Sequence, residues 1–130
     1  MALLVILGVA LSCFAAGSQA VVFHGLVTNT TAAASANVRL VLTIDGENVS
    51  GEMTTEPPLS GAGKLEGRLR GGWCELSGKL NEGFTIQFRG AFNGRDFRGT
   101  YVVAVPGEFV QYGKHHLKLH PVAKTMAPAK

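Results

Sequence analysis

Charged side chains are missing from the first twenty residues of this 130-residue chain. Residues 3–16 form an almost unbroken apolar run, which is short for a bilayer-spanning helix. Small residues follow at Ser18 and Ala20, and this order is typical of a signal peptide cleaved after Ala20. We therefore expect residues 1–20 to be a signal peptide, with no transmembrane span. The mature protein is expected to be secreted, or periplasmic if the source is bacterial.

Basic side chains are also missing near Met1, which departs from the usual signal-peptide pattern. Cys13 offers an alternative, in which this cysteine is lipidated after cleavage. The preceding Ala10-Leu11-Ser12 fits that alternative poorly, because a bulky aliphatic residue is expected three positions before such a cysteine. Simple cleavage after Ala20 is the favoured interpretation.

Cysteine is scarce, since only Cys13 and Cys74 are present. After cleavage at Ala20, Cys74 would remain alone, so no internal disulfide can hold the fold together. About 110 residues are enough to form a core without one. Cys74 shares the alternating phase of Leu76 and Leu80, which favours a buried structural thiol over a catalytic nucleophile.

Helical periodicity is missing after residue 20, and a period of two takes its place. Between residues 84 and 92, aromatic, aliphatic or glycine residues stand at every second position, as expected of half-buried strands. Asn93-Gly94 then provides a strong hairpin signal. The same reasoning predicts eight strands, at residues 21–28, 38–44, 49–55, 64–70, 73–80, 84–92, 97–105 and 109–119.

Short turns join most of these strands, and none has room for a crossover helix, so antiparallel neighbours are expected. Two connections are longer, at residues 29–37 and 56–63. We expect a β-domain over residues 21–120. Residues 121–130, which include Lys124 and Lys130, are expected to form a basic C-terminal tail.

Nearly every predicted strand contains a glycine in its interior, at a position that alternates in step with the apolar residues of that strand. Interior glycine weakens a strand, so one glycine per strand needs a reason, and sharp coiling of a small sheet supplies one. The pattern predicts an all-β fold, a small antiparallel up-and-down barrel of about eight strands, with a β-sandwich as the alternative. The glycines concerned are Gly25, Gly51, Gly67, Gly78, Gly90, Gly99 and Gly113.

The segment from Leu76-Ser-Gly78-Lys-Leu80 to Phe97-Arg-Gly99-Thr-Tyr101 places such glycines in successive hairpins. In this it resembles the avidin-like and lipocalin-like barrels, the calycins. The resemblance covers most of the chain after residue 20 and consists of strand number, turn length and glycine placement. It implies the barrel architecture. It implies no particular ligand, because biotin-binding barrels use several tryptophans and this chain has Trp73 alone.

Residue patterns typical of catalysis are missing. His115 and His116 are adjacent and so point to opposite faces of a strand, while His116 and His120 lie roughly 13 Å apart along one. The carboxylates fall on outward phases or in turns, and no nucleophile elbow or phosphate-binding glycine loop is present. We expect no enzyme activity, no metal, no cofactor and no nucleic-acid partner.

The predicted barrel interior is apolar with a few polar exceptions, which is the composition of a small-ligand site. We expect a small hydrophobic ligand to bind at Phe88, Phe97, Tyr101, Gln111 and His115. The expected lining comprises Val38, Leu40, Leu42, Ile44, Met53, Leu65, Leu69, Leu76, Leu80, Phe84, Ile86, Phe88, Phe92, Phe97, Tyr101, Val103, Phe109 and Leu117.

A filled barrel is the alternative. It would act through its surface loops, at residues 29–37 and 56–63, as an inhibitor or an envelope protein-interaction module. The size of the lumen distinguishes the two, since a void of roughly 300 Å³ or more favours a ligand. Asn29 and Asn48 also stand in glycosylation sequences, which would matter in a eukaryotic source only.

Overall fold

A computed structural model describes residues 18–108 and 110–120. It contains eight antiparallel strands in sequence order, and β1 pairs with β8 to close the sheet into a barrel. The predicted up-and-down barrel is therefore confirmed, and the sandwich alternative is wrong. The strands are β1 Ser18–Asn29, β2 Ala34–Asp45, β3 Asn48–Thr55, β4 Ala62–Arg70, β5 Trp73–Lys79, β6 Thr85–Phe92, β7 Asp96–Ala104 and β8 Val110–His120.

The observed strands match the predicted ones closely, with the largest difference at the first connection. β2 begins at Ala34, so the predicted loop at residues 29–37 is reduced to a turn at residues 30–33. The expectation of a long recognition loop there is wrong, because the β1–β2 ladder continues as far as Asn29 and Ala34. Within the part of the chain described, no helix is long and apolar enough to span a membrane.

The two ends of the barrel differ in their connections. At one end, which we call the open end, lie the turn 30–33, the segments 56–61 and 80–84, and the connection from β7 to β8. At the other, the closed end, lie the tight turns 46–47, 71–72 and 93–95, together with the start of β1 and the end of β8. Longer connections at the open end leave room for a site there.

Side chains alternate between buried and exposed along the strands, as the period of two predicts, and the buried side chains fill the barrel interior. In β6, for example, Ile86, Phe88, Gly90 and Phe92 are buried, and the residues that alternate with them are exposed. Every predicted lining residue belongs to the core or packs against it, except Phe109, which lies outside the described residues. The core also includes Phe23, Val27 and Val49, which were missing from the predicted lining.

The inner-face glycines lie where neighbouring strands approach each other most closely. A Cβ atom at Gly51, Gly67 or Gly78 would overlap a backbone carbonyl oxygen of the adjacent strand. Gly90 and Gly99 are paired across β6 and β7, and a Cβ at Gly90 would lie 2.8 Å from the Gly99 Cα atom. The adjacent backbone therefore occupies the space of the missing side chains. These glycines therefore leave no free volume in the lumen.

Replacing these glycines should weaken the fold although valine has the higher β-propensity. We expect Gly90→Val and Gly99→Val each to lower the free energy of unfolding by about 1–3 kcal/mol, because the added atoms must push two strands apart. Urea denaturation measures this. The control Arg98→Thr, at an exposed outer position beside Gly99, should change stability by no more than about 0.5 kcal/mol. Stabilisation by either valine would contradict the close approach.

Candidate ligand-binding site

A partly open cavity of about 250 Å³ occupies the open end of the barrel. Its volume lies slightly below the 300 Å³ expected of a ligand-binding lumen, and the rest of the lumen is filled by side chains. None of the described residues that line it is charged. These residues are Val27, Asn29, Ala32, Val38, Met53, Thr55, Pro58, Leu59, Ser60, Leu80, Phe84, Ile86, Phe88, Tyr101, Val103 and Gln111.

Aromatic packing closes the inner side of this cavity. The Phe88 ring lies 5.5 Å from the Tyr101 ring and 6.4 Å from the Phe97 ring, measured between centroids. Phe97 in turn packs on Phe92, and Phe92 on Phe23, towards the closed end. Large side chains therefore fill the lumen below Phe88, and a ligand would have access only above it.

The segment at residues 56–61 covers part of the cavity mouth. Pro58, Leu59 and Ser60 all line the cavity, and Leu59 packs against the core. Ala32, in the turn between β1 and β2, lines it from the other side. These connections therefore serve the cavity, which weakens the alternative that they act as free recognition loops.

A polar pair stands on the cavity wall. The Nδ2 atom of Asn29 donates a hydrogen bond to Oε1 of Gln111 at 2.7 Å, and Oδ1 of Asn29 accepts one from the Ala32 backbone N–H at 2.8 Å. Asn29 is only 5% exposed. Because Nδ2 is the atom that would carry a glycan, Asn29 is a poor acceptor in the folded protein, whereas Asn48 is exposed at the closed end.

Tyr101 is the second polar feature of the cavity. Its ring packs on the backbone of Gly113, where any side chain would collide with it. Its hydroxyl makes no hydrogen bond with residues in the described ranges. Burial raises the pKa of Tyr101 to about 12, so the hydroxyl keeps its proton and can donate it to a hydrogen-bond acceptor.

His115 lies below the cavity, and it does not line it. Its ring packs 4.4 Å from the Phe97 ring and 5.1 Å from the Phe88 ring. Both ring nitrogens are buried and have no hydrogen-bond partner among the residues that are described. Burial, and secondarily the charge of His116, lowers the pKa of His115 to about 4, so the ring is neutral at pH 7.

Of the five residues predicted to bind a ligand, Phe88, Tyr101 and Gln111 come together on the cavity wall. Phe97 and His115 pack behind Phe88 and support it. Sequence reasoning missed Asn29 and Leu59, because both were assigned to loops. A signal for Asn29 does exist, since it continues the inward phase of Gly25 and Val27 in β1.

Nucleophilic or metal chemistry has no support in the described residues. Cys74 is buried, and burial followed by the charge of Glu75 raises the pKa of its thiol to about 11, which keeps it unreactive. This agrees with the predicted structural role. No group of three or more His, Cys, Asp or Glu side chains that could hold a metal ion occurs in residues 18–108 and 110–120.

Protonation of His115 should make stability depend on pH. The pKa is about 4 in the folded protein against an ordinary 6.5, so the unfolded chain binds the proton more readily. Stability should therefore be full above pH 6.5 and fall between pH 6.5 and about 4, by on the order of 3 kcal/mol. Urea denaturation over this pH range measures the fall.

His115→Leu should remove this part of the pH dependence and raise stability at neutral pH, since two unpaired buried nitrogens are lost. His24→Gln is the matched control, because it removes an exposed histidine and should leave the slope unchanged. Equal flattening by both variants would show that His115 is not the group responsible.

Comparison with known proteins identifies no relative. The chain matches no family model, no curated protein and no solved structure. Function is therefore argued from the cavity itself.

Proposed function

We propose that the protein is a non-enzymatic, extracytoplasmic barrel that binds one small, neutral, mostly apolar molecule at its open end. The observation that best supports this is the cavity, whose described lining is uncharged and includes Tyr101, a residue whose hydroxyl makes no hydrogen bond with the described residues. An apolar cavity with few polar groups orients a ligand through those groups. Tyr101 would donate to an acceptor on the ligand, while the Asn29–Gln111 pair is already satisfied in part.

The volume limits the size of the ligand. A cavity of 150 Å³ in another protein accommodates benzene, so about 250 Å³ corresponds to about ten non-hydrogen atoms. A charged group would lose its hydration without gaining an ion-pair partner, since the lining is neutral. The ligand class is therefore a neutral compound of one ring or a short chain, with one hydrogen-bond acceptor.

Acetophenone and α-methylstyrene are matched probes of this class, because they have the same shape and only the first carries an oxygen acceptor. We expect acetophenone to bind more tightly. Tyr101→Phe should weaken acetophenone binding about five-fold and leave α-methylstyrene binding unchanged, as the loss of one hydrogen bond implies. NMR titration of the Ile86 and Val103 methyl groups measures both.

A variant that blocks the mouth of the cavity tests whether the two probes bind inside it. Ala32→Trp places a large ring at the cavity mouth from an exposed turn residue, and it should abolish binding of both probes. Ala91→Trp, on the outer face of β6, should leave binding unchanged. Unaltered binding in Ala32→Trp, or no shift of the methyl signals with either probe, would refute the proposal.

Export from the cytoplasm is compatible with the strand pairing. Cleavage after Ala20 would remove three pairs, Ser18–Ala20 with Thr43–Asp45, from the β1–β2 ladder. It would remove none from the β1–β8 ladder, which begins at Val22. The contacts that close the barrel therefore lie beyond the proposed cleavage point.

Export with cleavage after Ala20 predicts a mature chain that begins at Val21. Intact-mass measurement of the protein exported by a secretion-competent host should show this terminus. A lipid-modified chain that begins at Cys13, or an uncleaved chain recovered from the cytoplasm, would contradict it.

A further inference from the structure

The outer surface of β8, β1 and β2 is basic. Lys118, His24 and Arg39 are paired in register across these three strands, so their side chains form one row on the outside of the barrel. Arg98 of β7 and His116 of β8 form part of the adjacent row. We call Arg39, Arg98, Lys114 and Lys118, with the histidines between them, the basic face.

Acidic side chains are few on this face. β1 and β8 contain no Asp or Glu, β2 contains only Asp45 at the closed end, and Glu52 of β3 is paired with Val41 at the edge of the face. Asp96 of β7 lies beside β8, and its Oδ1 atom pairs with His116 Nε2 at 3.2 Å. On the other side of the barrel the arginines are paired instead, as in Arg68 and Arg70 with Glu47. The charge of this small protein is therefore separated between two sides.

Exposed apolar side chains stand within the basic face. Leu26, on β1, is 50% exposed and is paired with His116 on β8. Val41, on β2, is 41% exposed and follows Arg39 at the next outward position. The combination of cations with exposed apolar side chains is the composition of protein surfaces that bind at an anionic membrane interface.

We propose that the basic face docks on an anionic lipid surface. Lipid phosphates would pair with the four cations, and the acyl boundary would receive Leu26 and Val41. A soluble polyanion would satisfy the cations and leave the apolar side chains in water, which is why the lipid is favoured. This interaction is independent of the cavity, because the side chains of this face point away from the lumen.

Vesicle co-sedimentation of the mature protein tests the proposal. The vesicles contain phosphatidylglycerol in phosphatidylcholine at about one part in three, with pure phosphatidylcholine as the reference. We expect binding to the anionic vesicles alone. Binding should be lost at about 0.5 M salt, where charges are screened over a few ångströms.

Two charge-reversal variants give the matched comparison. Arg39→Glu with Lys118→Glu should weaken vesicle binding at least ten-fold. Lys64→Glu with Lys79→Glu makes the same change in net charge at exposed positions on β4 and β5, and it should have little effect. Equal losses in the two double variants would show that only net charge matters, which would overturn the proposal.

Leu26→Thr distinguishes a lipid from a soluble polyanion. It should weaken vesicle binding several-fold while all cations remain. If heparin binds as tightly as the vesicles and Leu26→Thr changes neither, the face binds soluble polyanions and the lipid proposal is wrong. Thermal denaturation of each variant verifies that the barrel is intact.

Discussion

The close approach of neighbouring strands at the inner-face glycines is the constraint on which this barrel depends. At these positions a backbone carbonyl of one strand lies where the Cβ atom of the next would be. Such contact lets the pairs β1–β8, β2–β3, β4–β5 and β6–β7 coil strongly, so that eight strands close on themselves with β1 beside β8. A side chain at these positions would separate the strands and open the sheet.

Strong coiling also fixes how much space the barrel encloses. The lumen is narrow enough for a single series of rings, from Phe23 and Phe92 through Phe97 to Phe88, to fill it from the closed end. Space remains only above Phe88, where the connections between strands are longer. The cavity therefore results from where the aromatic side chains stop, and the glycines do not create it.

Much of this fold could be predicted because the sequence patterns that indicate strands and turns are local. Alternation from Phe84 to Phe92 and the Asn93-Gly94 turn define a hairpin without any tertiary information. The inward phase of β1 could not be read in the same way, since Val21, Val22 and Phe23 are all apolar. Only pairing with β2 and β8 directs Phe23 inward, and so it was missed.

The lining of the cavity was predicted in part for a related reason. Tyr101 and Gln111 lie on strands, where the alternation of side chains indicates which ones point inward. Both line the cavity as expected. Leu59 lies in a connection, where no periodicity indicates which side chain turns inward. The resemblance to calycin barrels could not help, because it concerned strand number and glycine placement and carried no ligand residue. That resemblance stays a prediction.

The rings of His115 and Tyr101, near the cavity, carry polar groups, unlike the other rings that pack in the barrel interior. His115 buries two ring nitrogens that have no partner in the described residues, where leucine would be more stable. The Tyr101 hydroxyl also makes no hydrogen bond with the described residues. Both rings pack against Phe88, at the base of the cavity. Departures from the most stable sequence tend to accumulate where a protein acts. Their position beside the cavity at the open end is therefore an argument for function that is separate from the shape of the cavity.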